Sequence, residues 1–250
     1  MVVIDHATGH VTSRISVDGK TNETPELRGH IARIELDGAV LTADAAHTYR
    51  ATAQAIVDAG GHYLLVVKGN QPTLFGKLAQ ILLTGPDAAT TGRSHSWSER
   101  GHGRITRRVL RAADAHGIDF PGAKQVTITQ RHRRPINGKG TETRQIVYAI
   151  TSLNSQEAGP VDLAEIEQGH WSCEARHHVL DVTFREDDPQ IRTGHAPQNL
   201  STLRDLAIDA FRATGHADIA HARRHHTHQA NRVLDLLRTM TQKQQTDTNR

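Results

Sequence analysis

Between residues 38 and 83 the chain passes twice from a short apolar run to a segment of helical spacing, and few architectures accommodate that order. Gly38-Ala39-Val40-Leu41-Thr42-Ala43 is continuously small and apolar and ends at Asp44, the pattern of a strand buried on both faces. From His47 to Ala59, Ala51, Ala55, Ile56 and Ala59 recur at helical spacing, and Gly60-Gly61 is a strong stop. Tyr63 to Val67 reads as a second strand. The polar turn Lys68-Gly69-Asn70-Gln71-Pro72 then leads into a helix over Thr73 to Leu83, with Leu74, Leu78, Ile81 and Leu82 inward. Strands alternating with helices predict an α/β fold, in which an acid at a strand's carboxyl end sits where open sheets bind ligands.

The flanks extend this pattern. Val2-Val3-Ile4 and Val11 to Val17, around a glycine-containing turn, predict a hairpin, and Thr24-Pro25-Glu26 starts a helix toward Ile34 with Leu27, Ile31 and Ile34 on one face. Beyond Thr84 a Gly, Thr and Ser-rich linker reaches Arg93. Strand-like pieces at Arg104 to Leu110, Gln125 to Gln130 and Arg144 to Thr151 predict an antiparallel insertion. Helical texture returns from Asp162, with Leu163, Ile166, Trp171, Val179 and Leu180 inward, and again over Asn199 to Arg212. The expected organisation is a first α/β part over 1–83, a β-rich insertion over 84–160, a helical part over 161–215 and a basic, His-rich C-terminal segment over 216–250.

A chain of 250 residues can bury a sizeable core. Its longest apolar runs fall far short of the roughly 20 residues that span a bilayer, and Met1-Val2-Val3-Ile4-Asp5 lacks the basic region and long apolar stretch of a secretion signal. Cys173 is the single cysteine, which excludes an intrachain disulfide and a multi-cysteine zinc site and fits a reducing cytoplasm. The net charge is +3 with 18 histidines counted neutral, and the pI is about 9.2, compatible with a nucleic-acid partner.

Two carboxylates stand where packing alone does not call for an acid. Asp44 ends an apolar strand, and Glu174 lies in a helix between Trp171 and His177-His178. Magnesium takes oxygen ligands, and carboxylates from distant positions converging on a scaffold are how proteins hold the paired ions of phosphodiester chemistry. Read singly, each has a plainer explanation: an acid after a strand caps the next helix, and an acid on a helix faces water.

Longer motifs carry a resemblance. Thr42-Ala43-Asp44-Ala45-Ala46-His47-Thr48, followed by His62 to Leu74 with its Lys68-Gly69-Asn70-Gln71-Pro72 turn, resembles the DDE transposases of the H-repeat-associated group. Gly169-His170-Trp171-Ser172-Cys173-Glu174, the His177-His178 pair and Asp181-Val182-Thr183-Phe184-Arg185-Glu186-Asp187 are similar to that group's second block, continued by Arg192-Thr193-Gly194 and Ala196-Pro197. Asp5 to Gly9 and Val17 to Glu23 match its early hairpin.

The resemblance implies a ribonuclease H-like mixed sheet flanked by helices, with a β-rich insertion, and a magnesium site built on three acids. Asp44 matches the second acid and Glu174 the third. The first lies in the family on the central strand, upstream of the hairpin, and has no counterpart here, so the central first strand is expected to be missing and the chain as given to lack strand transfer. Asp18, in Val17-Asp18-Gly19-Lys20, echoes the missing motif but is aligned by Thr21-Asn22-Glu23 with a later turn. His47, Lys68, His170 and His177 are candidates to orient ligands or contact phosphate, with packing or solvent exposure the plainer alternative. Cys173 replaces an aliphatic residue and Gln168 a basic one. The partner implied is DNA, at transposon ends and target, with no membrane and a homodimer left open.

Three rival readings follow from the residues. One is a non-catalytic DNA-binding remnant using Arg131, Arg133, Arg134 and the tract His221 to His228; another is a decayed product with no function. The third is a histidine metal site at His221, His225 and His228, whose spacings suit one helix face.

Overall fold

The structure is a computed structural model that describes residues 2–6, 11–14, 23–31, 33–34, 36–85, 93–101, 103–186, 188, 194–227, 229 and 231–239, apart from the side chains of 2, 4, 12–14, 23–26 and 172–174. The chain divides into two compact units, Val17–His170 and Met1–Ser16 with Trp171–Arg250.

The Val17–His170 unit is built on a six-stranded mixed sheet. Its strands are β3 (Val40–Ala43), β4 (His62–Val67), β5 (Ser94–Gly101), β6 (Arg104–Asp114), β7 (Gln125–Pro135) and β8 (Thr143–Thr151), in the order β3-β4-β8-β7-β6-β5. The pair β3 and β4 is parallel, Ala43 standing opposite Leu65, and every other pair is antiparallel. Helices α1 (Glu23–Ile31), α2 (Arg50–Asp58) and α3 (Pro72–Thr84) and the start of α4 (Pro160–His178) flank it. This mixed sheet with flanking helices is the ribonuclease H-like arrangement that the resemblance implies.

Local chemistry explains the turns. Gly60 takes φ +76° after α2, and at Gly61 a Cβ would stand 2.9 Å from the Cβ of Leu36, so neither position suits a side chain. Pro72 opens α3, where its missing N–H costs nothing.

Three expectations need correction. The strand buried on both faces is β4, whose residues from Tyr63 to Val67 are all buried; in β3 only Ala43 is buried, because β3 is an edge strand with β4 as its neighbour in the sheet. Helix α1 ends at Ile31, three residues before Ile34. The insertion begins with a strand, β5, at Ser94, ten residues before the first one expected.

The long antiparallel strands are half core and half solvent. From Gln125 to Thr129 β7 is buried, and beyond Gln130 it alternates between half-buried and exposed; β8 runs the other way, exposed from Thr143 to Ile146 and buried from Tyr148. On one sheet face Leu64, Leu110, Ala112 and Ala149 pack against Leu163 and Ala164 of α4. On the other, Tyr148 meets Phe75 of α3 edge to face, with ring centroids 4.9 Å apart.

A carboxyl lies inside the α4 face. Glu167 is 3 % exposed and accepts a 2.6 Å hydrogen bond from the Thr129 hydroxyl. Burial pushes its pKa from 4.5 up to about 7, although the Thr129 bond and the charges of Arg108 and Arg131 pull the other way.

In the second unit, β1 (Val2–Ile4) and β2 (Val11–Arg14) pair antiparallel as a two-stranded sheet, with an irregularity between Val3 and Ile4. The expected strand residues Ile15 to Val17, the turn residues 7–10 and Asp18 lie outside the described residues. Helix α4 continues into a π-helical turn at Val179–Thr183, followed by α5 (Ala196–Ala213) and α6 (Ile219–His226). Leu180, Ile208, Phe211, Ile219 and Ala222 form this unit's core.

Arg176 is fully buried in the second unit. Its guanidinium donates to Asp205 Oδ1 from Nε at 3.1 Å and from Nη2 at 3.0 Å, to the Asp205 carbonyl at 3.0 Å and to Asp209 Oδ1 at 2.6 Å. Asp205 and Asp209 are one turn apart on α5, so a single cation fixes the end of α4 against that helix.

Two outcomes follow. Arg176→Ala should lower the unfolding free energy by about 3–5 kcal/mol in a denaturant titration, since it strands Asp205 in the interior; a loss near zero would mean the triad is dispensable. Glu167 holds its proton to about pH 7 when folded and only to 4.5 when unfolded, so the folded state binds more protons in between and its contribution to stability declines as pH rises through that window. Glu167→Gln should remove about 3 kcal/mol of the parent's loss between pH 5 and pH 8. Identical pH profiles for the two proteins would show that the carboxyl is not desolvated.

Candidate functional site

The parallel pair β3 and β4 delivers two polar turns to one end of the sheet. At the end of β3, buried Ala43 anchors the strand and Asp44 emerges exposed. Its Oδ1 accepts the Ala46 N–H at 3.1 Å and its carbonyl accepts the His47 N–H at 3.1 Å, which closes a tight turn ahead of α2. The other carboxylate oxygen is in no hydrogen bond among the described residues.

Two side chains hold that turn from outside. Thr48, 1 % exposed, stands 2.6 Å from the Val66 carbonyl and 3.1 Å from that of Asp44. A hydroxyl has one proton, so the shorter contact is the hydrogen bond, and it ties the turn to β4. Asn70 donates from Nδ2 to the Ala45 carbonyl at 2.7 Å. The Lys68-Gly69-Asn70-Gln71-Pro72 motif thereby has a physical role: its asparagine clamps the backbone next to Asp44, and its proline starts α3.

Helix α4 approaches the same strand. Asp162 accepts the Gly159 N–H at 2.8 Å at the helix start, Leu163 and Ala164 pack on the sheet, and His170 Nδ1 lies 3.0 Å from the Thr42 hydroxyl. Thr42 is two residues before Asp44, and Glu174 is four residues after His170 in the same helix. The Glu174 and Cys173 side chains lie outside the described set, so Asp44 is the expected ligand whose side-chain surroundings are described.

The other candidates separate. Lys68 is exposed just after β4, His47 is half-buried in the Asp44 turn, His170 is engaged with Thr42, and His177 is exposed. Gln168 bonds back to the Ala164 carbonyl at 3.2 Å. In α6 the His221 and His225 rings stack with centroids 6.3 Å apart, and His228 is outside the described residues. Among the described residues no three His, Cys, Asp or Glu are grouped to hold a metal. No helix among them is long and apolar enough to cross a membrane.

Sequence reasoning passed over Thr42, Thr48, Glu167 and the Asp205-Asp209 pair. For Glu167 a signal existed: it follows Leu163 by four, which puts it on the buried stripe of α4.

Residues 1–210 match the family model of the transposase DDE domain. The chain is 26% identical over 211 residues to the Escherichia coli O157:H7 protein named "Putative transposase YncI", covering 82% of this chain and 53% of that one. It is 30% identical over 210 residues to "Putative protein YbfL" of Escherichia coli K12, covering 80% of this chain and 54% of the relative. It is 29% identical over 210 residues to "H repeat-associated putative transposase YhhI" of the same strain, with the same coverage of 80% and 54%. The chain thus spans about half the length of these curated relatives. No solved structure matches it. With 210 of its 250 residues matched, the chain belongs to the transposase DDE domain family.

Proposed function

We propose that this chain is part of a DNA transposase of an insertion sequence, and that Asp44 and Glu174 are oxygen ligands for magnesium at its DNA-cleaving centre. The observation that carries the reading is the contact between His170 and Thr42, which secures α4 one turn before Glu174 to the strand that ends at Asp44. The donor chemistry agrees: Asp44 is an exposed carboxylate with an oxygen in no hydrogen bond among the described residues, at the carboxyl end of a parallel strand, as a hard cation requires.

When bound, magnesium would supply electrostatic stabilisation of the attacking and leaving oxygens of a phosphodiester. The chain's own part is positional. Thr48 and Asn70 fix the backbone on which the Asp44 carboxylate is carried, and Lys68, exposed after the neighbouring strand, is free to meet a DNA phosphate. Two of the family's three acids are matched within these 250 residues.

The second reading, DNA contact without catalysis, is favoured by the exposed arginines of β6 to β8. Alternation divides the expected trio: Arg131 shares the sheet face of Arg108 and influences Glu167, whereas Arg134 falls on the opposite face with His132.

Manganese or magnesium binding, followed by calorimetry, tests the ligand assignment. Asp44→Asn and Glu174→Gln should each weaken binding by about tenfold or more, at least the effect of losing a supporting residue around a metal. Asn70→Ala should weaken it less, because it loosens the turn and leaves the carboxylate. Affinity unchanged in both acid variants would end the metal-ligand reading.

A further inference from the structure

The outer halves of β5 to β8 carry two sets of arginines on opposite faces, and among the described residues only the set on the α4 face includes an ion pair. On the α4 face, buried Arg108 pairs with Glu99 at 2.7 Å and stacks 5.9 Å from the centre of the Trp97 ring, and Arg131 stands close enough to influence Glu167. On the other face, Arg107 lies directly opposite His132, which lies directly opposite Arg144. Strands are about 4.8 Å apart, so three basic side chains step across about 10 Å of sheet.

All three are exposed, as is Arg134 two residues along β7 on the same face. The side chains of Arg107 and Arg134 enter no ion pair or hydrogen bond among the described residues, and the Arg144 guanidinium donates there only to the neutral Gln130, at 3.0 Å. These residues line a depression of about 640 Å³ together with Arg133 and one carboxylate, Glu142.

Nothing in the packing requires this row, since it lies beyond the buried halves of β7 and β8. A concave face lined by four arginines, one histidine and a single carboxylate fits a polyanion that lies along it.

We propose that the face bearing Arg107, His132, Arg134 and Arg144 is a docking surface for the phosphodiester backbone of duplex DNA. It rests on the DNA reading above but not on the metal ligands, since no lining residue belongs to the Asp44 turn. The contacts are to phosphate, so the surface positions DNA without reading its sequence.

Anisotropy of a labelled duplex of arbitrary sequence, titrated with the 250-residue chain in EDTA at several salt concentrations, tests it. Arg107→Ala/Arg144→Ala should lower affinity at least tenfold at low salt and reduce the slope of log K against log salt by about 2, near 0.9 for each lost phosphate contact. Lys77→Ala/Lys124→Ala, which removes the same charge from other exposed positions, should leave the slope unchanged. Arg107→Lys/Arg144→Lys should retain the slope and guards against a folding defect, as does an unaltered melting curve of the alanine variant. Manganese binding by Arg107→Ala/Arg144→Ala, followed by calorimetry, should match the parent's, so that failure of the metal site and failure of this surface are distinguishable. Equal losses from the site and control pairs, or an unchanged slope in a folded site variant, would overturn the proposal.

Discussion

Helix α4 is fastened to the six-stranded sheet by oil and by two polar rivets, and the candidate site depends on that fastening. Leu163 and Ala164 supply the apolar contact with Leu64, Leu110 and Ala149. Glu167 then reaches Thr129, and His170 reaches Thr42, each one helical turn or less from the last. Apolar packing is tolerant of sliding, whereas a hydrogen bond to a named atom is not. A helix held by side chains at successive turns has its rotation and register specified from Leu163 to His170.

The same division between packing and polar specification accounts for what could be read from the residues. Helices α2 and α3 and strand β4 were legible because each has a clean apolar pattern and an unambiguous stop: Gly60 in the left-handed region, Pro72 at a helix start. Strand β5 was not, since Ser94-His95-Ser96-Trp97-Ser98-Glu99 has one large apolar residue; its alternation is half-buried His95 and Trp97 against exposed serines, as an edge strand allows. Edge position also misled the reading of β3. Val40 and Leu41 look like a doubly buried strand, but with β4 as the neighbour they are only half covered.

Polar burial was least legible of all. Glu167 and Arg176 are buried inside the two units; the spacing from Leu163 puts Glu167 on the buried stripe of α4, but residue type alone treats both as surface. Their partners are far off in sequence, Thr129 for one and Asp205 and Asp209 for the other, so no local rule finds the pairs. The motif residues fared differently. Asp44 could be singled out because it ends a strand, and Asn70 because it sits in a compact turn, but that Asn70 holds the backbone beside Asp44 becomes visible only when the parallel pair places the two turns side by side.

The arginines of the insertion show how alternation turns composition into two different kinds of chemistry. A net charge of +3 says little, because opposite charges cancel in the sum without meeting in space. In β6 and β7, successive cations go to opposite faces: Arg108 turns inward to Glu99 and Trp97, while Arg107 turns outward beside His132. The inward cation is worth keeping for the fold, since it is desolvated and paired. The outward arginines, Arg107, Arg134 and Arg144, stay exposed and have no ion pair among the described residues, so a bound anion would displace no charged partner there.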